Sequence, residues 1–214
     1  MKIIVTGATG MVGEGVLLEC LKSDDVTEIL SISRKPCGIS NPKLKELLVP
    51  DFTKLSNFKA EISGYDACFF CAGISSVGMS EEKFTQITYD TTLAFAKALL
   101  EVNSNMTFIY VSGASTDSTE KGRVMWARVK GKTENDLAKL GFKREVNFRP
   151  GGMLAVKNQR YAKKSYIIIV GILKYIIPSR ILHLSEVGKA MIHAVQRDNV
   201  KNILEINDIR LLAK

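Results

Sequence analysis

The chain has little of what metal and disulfide chemistry require. Its 214 residues include two histidines, four cysteines and one tryptophan. Cys68 and Cys71 spell C-x-x-C, but they fall in "DACFFCAG", an apolar run that reads as a buried strand. Side chains three apart on a strand point to opposite faces, so the two sulfurs diverge. A zinc site also needs a second ligand pair, and His183 and His193 stand in a different region. No metal site is expected. Reduced thiols point to an intracellular protein, read here as cytoplasmic. No Pro- or Gly-rich linker, internal repeat or low-complexity tract divides the chain. Long apolar runs are lacking too. The most apolar stretch, Tyr166 to Ile177, falls far below the ~18–20 residues of a membrane span, and Lys174 interrupts it. The opening "MKIIVTGATG" has too short an apolar run, broken at once by glycine, for a signal peptide.

The length suits one domain over residues 1–214, with small elements near 152–184 set aside for a substrate cleft. The formal net charge is +8. That suits an anionic ligand, a nucleic acid or an acidic membrane, and does not choose among them. Single-strand binding wants aromatics interleaved with the basic residues, which are missing, so no nucleic-acid partner is expected.

Short apolar runs alternate with helical patterns. "KIIV", "ILSI", "LLV", "ACFFC", "TFIYVS", "VNFR" and "ILEI" read as buried strands. Val12, Val16, Leu17 and Leu21 mark one helix. Phe84, Ile87, Thr91, Phe95, Ala98 and Val102 give a longer stripe, with Ser80 as cap and Glu81 and Glu82 in its first turn. A further helix runs from about Arg123 to Leu140 and stops at Gly141, and the last begins near Ser185. This alternation predicts a doubly wound α/β parallel sheet, a Rossmann-type fold of about seven strands with helices on both faces.

Gly7, Gly10 and Gly13 form GxxGxxG directly after the first strand and at the start of a helix. Such glycines permit a tight turn and close approach of backbone to a pyrophosphate, which the helix N-terminus then attracts. Thr9, Met11 and Val12 belong to the same turn. NAD sites place Asp or Glu ~20 residues on, whereas NADP sites use a nearby Arg. Twenty past Gly13 stand Ser33, Arg34 and Lys35. Two cations and no carboxylate favour NADP(H) over NAD(H).

Taken together these residues resemble the short-chain dehydrogenase/reductase superfamily in its extended and atypical branches. The resemblance spans nearly the whole chain. It rests on "TGATGMVG", the Asp of "VPDFTKL", "CAG", "YVSGAS", Lys130 and "FRPGGM". The run "VKGKTE…FRPG" is similar to the atypical group that includes the Tat-interacting oxidoreductase-like protein. The resemblance implies that Asp51 and Phe52 flank the adenine. Cys71, Ala72 and Gly73 would line the cofactor ribose, and Val111, Ser112 and Gly113 would border the nicotinamide. Lys130 would bond the nicotinamide ribose, and Pro150 and Gly151 would cover the amide.

The departures bear on chemistry. The proton-donor tyrosine of Tyr-x-x-x-Lys is replaced by Trp126, and Thr88 stands where many relatives have an active-site Asn. Ser112 and Ser115 are the two candidates for the substrate-holding hydroxyl. Indole donates a hydrogen bond but cannot serve as a base. Trp126 and Lys130, four apart, share a helix face if the helix has its expected phase; otherwise Trp126 is a core or dimer anchor. Without the tyrosine, Ser112, Ser115, Asp117 or a lysine-bound water can supply a proton. One reading is an NADP(H)-dependent oxidoreductase or epimerase with a small-molecule substrate, in a cleft roofed by residues near Tyr161 to Ile177. Another is a non-catalytic NADP(H) sensor. The run Arg160 to Arg180 is apolar with basic flanks. A helix packed on the cleft or in a dimer contact is preferred there to attachment on a membrane face. Either a monomer or a homodimer fits.

Overall fold

The computed structural model describes residues 1–214, the side chain of Lys164 excepted. In chain order come β1 (Lys2–Thr6), α1 (Met11–Lys22), β2 (Glu28–Ser33), β3 (Leu44–Leu48), β4 (Ala67–Phe70), α2 (Glu81–Thr85), α3 (Thr91–Val102), β5 (Thr107–Val111), α4 (Met125–Leu137) and β6 (Arg144–Phe148). There follow β7 (Gly152–Leu154), α5 (Lys164–Ile176), β8 (Ile181–His183), α6 (Leu184–Gln196), β9 (Ile203–Leu204) and α7 (Ile206–Leu212). A seven-stranded sheet has the order β3-β2-β1-β4-β5-β6-β9, and all its pairs are parallel. All seven apolar runs named above contribute to it. The order reverses between β1 and β4, and such a switch point opens a crevice at the carboxyl ends of the strands.

Two cores cover the sheet faces. Ile3 and Val5 of β1 enter the one formed with α1, α6 and α7, while Ile4 enters the one formed with α3. That is the period-two alternation of a strand covered on both sides. Each such side chain, fully buried, contributes ~1.5–3 kcal/mol. The C-x-x-C pair obeys the same rule: Cys68 lies in the second core and Cys71 packs against the first.

The stripe from Phe84 to Val102 is helical but not one regular helix. A π-helical turn, Gln86–Asp90, joins α2 to α3. Its wider turn shifts the phase, and Ile87, expected in the core, stands partly exposed at 36%. π-turns of this kind are frequent at functional sites. Ser80 does cap α2, its Oγ accepting from the Lys83 amide at 3.3 Å.

Beyond β6 the chain leaves the main sheet. β7 and β8 pair in parallel as a separate two-stranded ribbon, with α5 between them in sequence. The inner side of α5 packs on this ribbon: Val170 is buried and the Tyr166 hydroxyl accepts from the Met153 amide at 3.0 Å. Its outer side is not covered within the chain: Ile168, Ile169, Ile172 and Ile176 are exposed. The helix is apolar nearly all round, and a two-stranded ribbon covers only one side. Among the described residues no helix is long and apolar enough to cross a membrane.

Candidate functional site

The site begins where β1 ends. Thr6 Oγ1 accepts from the amides of Cys71 and Ala72 at 3.1 and 3.0 Å, which ties the end of β1 to the loop after β4. Gly7 has φ +74°, a left-handed conformation, and a Cβ there would stand 2.7 Å from the Cys71 carbonyl oxygen. A Cβ on Gly13 would lie 2.2 Å from the Gly7 oxygen. Gly10 precedes α1 with no side-chain cap. Side chains at Gly7 and Gly13 would therefore collide with the surrounding backbone, and the uncapped first N–H groups of α1 suit an anion. Gly7, Thr9, Gly10, Met11 and Val12 border the resulting cleft, and Gly13 is the packing contact beneath it.

A carboxylate sits in that same first turn. Glu14 is 1% exposed and accepts from the Arg160 and Tyr161 amides at 2.9 and 2.8 Å, with the Arg160 guanidinium 3.5 Å away. Gln159 Nε2 donates to the Met11 carbonyl at 2.6 Å. This clasp was not visible in the sequence, because its halves lie far apart and no local motif marks them.

The cleft has two chambers. One, of about 460 Å³, is bordered by Gly7, Thr9, Ser33, Arg34, Asp51 and Phe52, and also by Ile74, Met79, Ile87 and Thr91, which the sequence reading missed. Ile87 and Thr91 carried a signal, helical periodicity, that was read as core. Arg34 is on the wall and exposed; Lys35 is not on the wall, and its carbonyl accepts from Ser33 Oγ at 2.6 Å. Asp51 accepts from the Thr53 hydroxyl and amide at 2.6 and 3.0 Å, and these bonds hold its carboxyl below the usual range.

The second chamber, of about 560 Å³, shares Gly10 and Cys71 to Ile74 with the first, so the two form one trough. Val111, Ser112, Gly113, Trp126, Lys130, Pro150 and Gly151 line it, joined by Ala114 and Met153. Trp126 and Lys130 thus share one wall, and a Cβ on Gly113 would meet the Trp126 ring at 3.8 Å. Lys130 Nζ donates to the Ser112 carbonyl. Burial pushes its ammonium pKa down to about 8, against the opposing pull of Glu134. Cys71 is pushed up to about 12 by burial, so it stays a thiol. Lys130 is the one side chain on this wall that changes charge near neutral pH.

The other proton candidates are engaged elsewhere. Ser112 Oγ donates to the Phe148 carbonyl at 3.2 Å. Ser115 is exposed, at φ +69°, and off the wall. Asp117 accepts from the Thr119 hydroxyl and amide and from the Gly122 amide, bonds that hold its carboxyl below the usual range. Thr88 is buried off the wall, its hydroxyl without a partner among the described residues.

Helix α4, which presents Trp126 and Lys130, is fixed from two sides. At Gly131 a Cβ would lie 1.8 Å from the Asp117 oxygen, so the loop backbone lies directly on the helix. On the sheet side, Glu134 forms a buried ion pair with Arg149, which also reaches Ser118 and Glu205. Beside them, Asn147 Nδ2 donates to Glu145 Oε2 at 3.1 Å, while Glu145 Oε1 and Asn147 Oδ1 have no partner among the described residues. Burial, aided by Glu134, pushes the Glu145 carboxyl up to about 8.

A parallel sheet of this order, a glycine turn opening into an uncapped helix, and a trough across the strand ends define a nucleotide-binding Rossmann protein of the short-chain dehydrogenase/reductase kind. The chain belongs to the NAD dependent epimerase/dehydratase family, whose model matches residues 3–122, and with it to the atypical part of that superfamily. It is 30% identical over 174 residues to "Protein FMP52-2, mitochondrial" of Scheffersomyces stipitis, covering 80% of this chain and 74% of that one. To "Protein FMP52, mitochondrial" of Candida albicans it is 28% identical over 165 residues, covering 75% and 71%. Among solved structures, the Bordetella bronchiseptica enzyme WbmF, in complex with NAD+ and UDP, superposes with a TM-score of 0.70. The identity is 14%, over 96% of this chain and 71% of that one, a likeness of fold. The names of the two fungal relatives overturn the cytoplasmic expectation. That expectation rested on reduced cysteines, which do not separate the cytosol from an organelle.

Proposed function

We propose that the chain binds NADP(H) along the trough and acts as an atypical oxidoreductase or epimerase on a small carbonyl or hydroxyl substrate. The observation that carries this reading is the continuity of the trough from Arg34 at one end to Trp126 and Lys130 at the other. The uncapped start of α1 would hold the pyrophosphate, in the tight turn that Gly7, Gly10 and Gly13 permit. Arg34 would pair with a 2′-phosphate, and Asp51 would accept from the adenine amino group. Lys130 would hold the nicotinamide ribose. When bound, the nicotinamide supplies hydride exchange. The chain must then supply a proton, and the Trp126 indole, a hydrogen-bond donor only, cannot give one up and recover it. In our reading Lys130 Nζ holds that proton and gives it to the substrate oxygen. The volume of the second chamber favours a small substrate.

One observation favours a second reading, a non-catalytic NADP(H) sensor. Trp126 replaces the acid, and Ser112, the hydroxyl on the wall, is turned to the Phe148 carbonyl. Calorimetry with NADPH and NADH, followed by NADPH consumption against a panel of small aldehydes and ketones, separates the two. Tight NADPH binding with turnover supports the enzyme. Binding without turnover on any substrate supports the sensor, and failure to bind either nucleotide refutes both.

A further inference from the structure

The outer face of α5 is an apolar feature that the trough does not use. Ile168 is 63% exposed, Ile172 58%, Tyr175 80% and Ile176 68%. With Ile169 they form one stripe at helical spacings of three and four, along a helix ~20 Å long. Scattered exposed apolar residues are ordinary, but a contiguous stripe rimmed by polar groups marks an interaction surface.

Charge narrows the partner. From Val146 to Ser185 the sequence has no Asp or Glu and seven Lys or Arg. Arg149 is engaged with Glu134, and Arg160 with Glu14. Lys157, Lys163, Lys174 and Arg180 pair with no carboxylate among the described residues, and Lys174 lies 4.8 Å from the Tyr175 ring centre. A two-fold contact between copies would set this face against itself, cation to cation. A surface that is apolar in its depth and anionic at its rim is the complement. A helix in the plane of a bilayer meets that surface, its aliphatic side in the acyl boundary and its lysines at the headgroups. We propose that α5 docks the chain on an acidic phospholipid bilayer. The inner side of α5 holds Met153 in the trough wall through Tyr166, so docking would bring that wall close to the lipid surface.

Flotation of the full chain with vesicles of phosphatidylcholine, with and without phosphatidylserine, tests this. Wild type is expected to float with the phosphatidylserine vesicles and to be released by added salt. Ile168→Glu with Ile172→Glu should weaken binding about tenfold or more. Lys163→Gln and Lys174→Gln should each weaken it about fivefold. Thermal unfolding checks that the variants fold. Independently, Tyr175→Trp in a Trp126→Phe background should shift its emission to the blue on phosphatidylserine vesicles. The proposal is overturned if wild type does not float, if the isoleucine pair can be replaced without loss, or if the added tryptophan does not respond. It is also overturned if sedimentation shows a dimer that these isoleucine substitutions dissociate, since the stripe is then covered by a second copy.

Discussion

Glu145→Gln should stabilise the protein, and the gain should depend on pH in a defined direction. Glu145 is 7% exposed and accepts one bond from Asn147; its Oε1, like Asn147 Oδ1, has no partner among the described residues. In the unfolded chain its proton leaves near the ordinary 4.5; in the fold, burial and Glu134 hold the proton to about 8. Between those values the folded state binds more protons than the unfolded state, so stability falls as pH rises through that window and levels off above it. At ~1.4 kcal/mol per pH unit the loss accumulates to about 3 kcal/mol by about pH 7. Glutamine keeps the shape and has no proton to lose. Its amide can donate to Asn147 Oδ1 while accepting from Asn147 Nδ2, which satisfies both orphaned positions. Urea unfolding of both proteins at several pH values reads the difference. We expect a gap of about 3 kcal/mol near pH 7, closing toward pH ~4.5, and a melting temperature raised on the order of 10 °C near neutrality. A gap that does not change across this range would refute the assignment of a neutral, buried Glu145. The consequence reaches the site, because Glu134 and Arg149 hold α4 in place.

Arg34→Ala should weaken NADPH by ~1.5–3 kcal/mol, one lost charge-assisted contact, and leave NADH little changed; equal losses in calorimetry would remove Arg34 from the 2′-phosphate. Trp126→Tyr places a hydroxyl four residues before Lys130, so it should keep NADPH binding and raise reductase activity on small aldehydes or ketones, by less than the ~10²–10⁴-fold of an evolved acid. A variant that folds, binds and shows no gain counts against reading position 126 as that of the missing proton donor. Trp126 is the only tryptophan and lines the second chamber, so NADPH should quench its emission more than NADP⁺ does; unchanged emission with calorimetric binding would place the nicotinamide elsewhere. If Lys130 is the acid, carbonyl reduction should fall as pH rises through about 8, where its ammonium deprotonates, and alcohol oxidation should rise. Profiles flat through that range would move the proton source away from Lys130.

The parallel sheet was readable because each strand is a short apolar run ended by a turn residue, and because the glycines after β1 serve one backbone geometry. The spacing of Trp126 and Lys130 put both on one helix face, but left open whether that face was the trough or a core or dimer contact; both line the second chamber. What escaped was set by contacts between distant segments. Nothing local marks Glu14 as the partner of Arg160, or Glu145 as a buried acid in "REVNF". Ile87 was misread because a period of 3.6 cannot show a π-turn that changes phase inside the helix. Apolar periodicity also said nothing about which side of α5 is covered, since that depends on the ribbon β7–β8, too short to stand out.

The clasp of Glu14 by residues 159–161 ties two positions into one heritable unit. Losing the carboxylate alone strands the Arg160 and Tyr161 amides, and losing the segment alone leaves a buried negative charge beside the place where α1 would receive a phosphate. Neither loss can be repaired by the half of the protein in which it occurs. Relatives should therefore change position 14 and the 159–161 stretch together, and a chimera joining the first half of one relative to the second half of another should fail at this seam unless both sides are taken from the same parent.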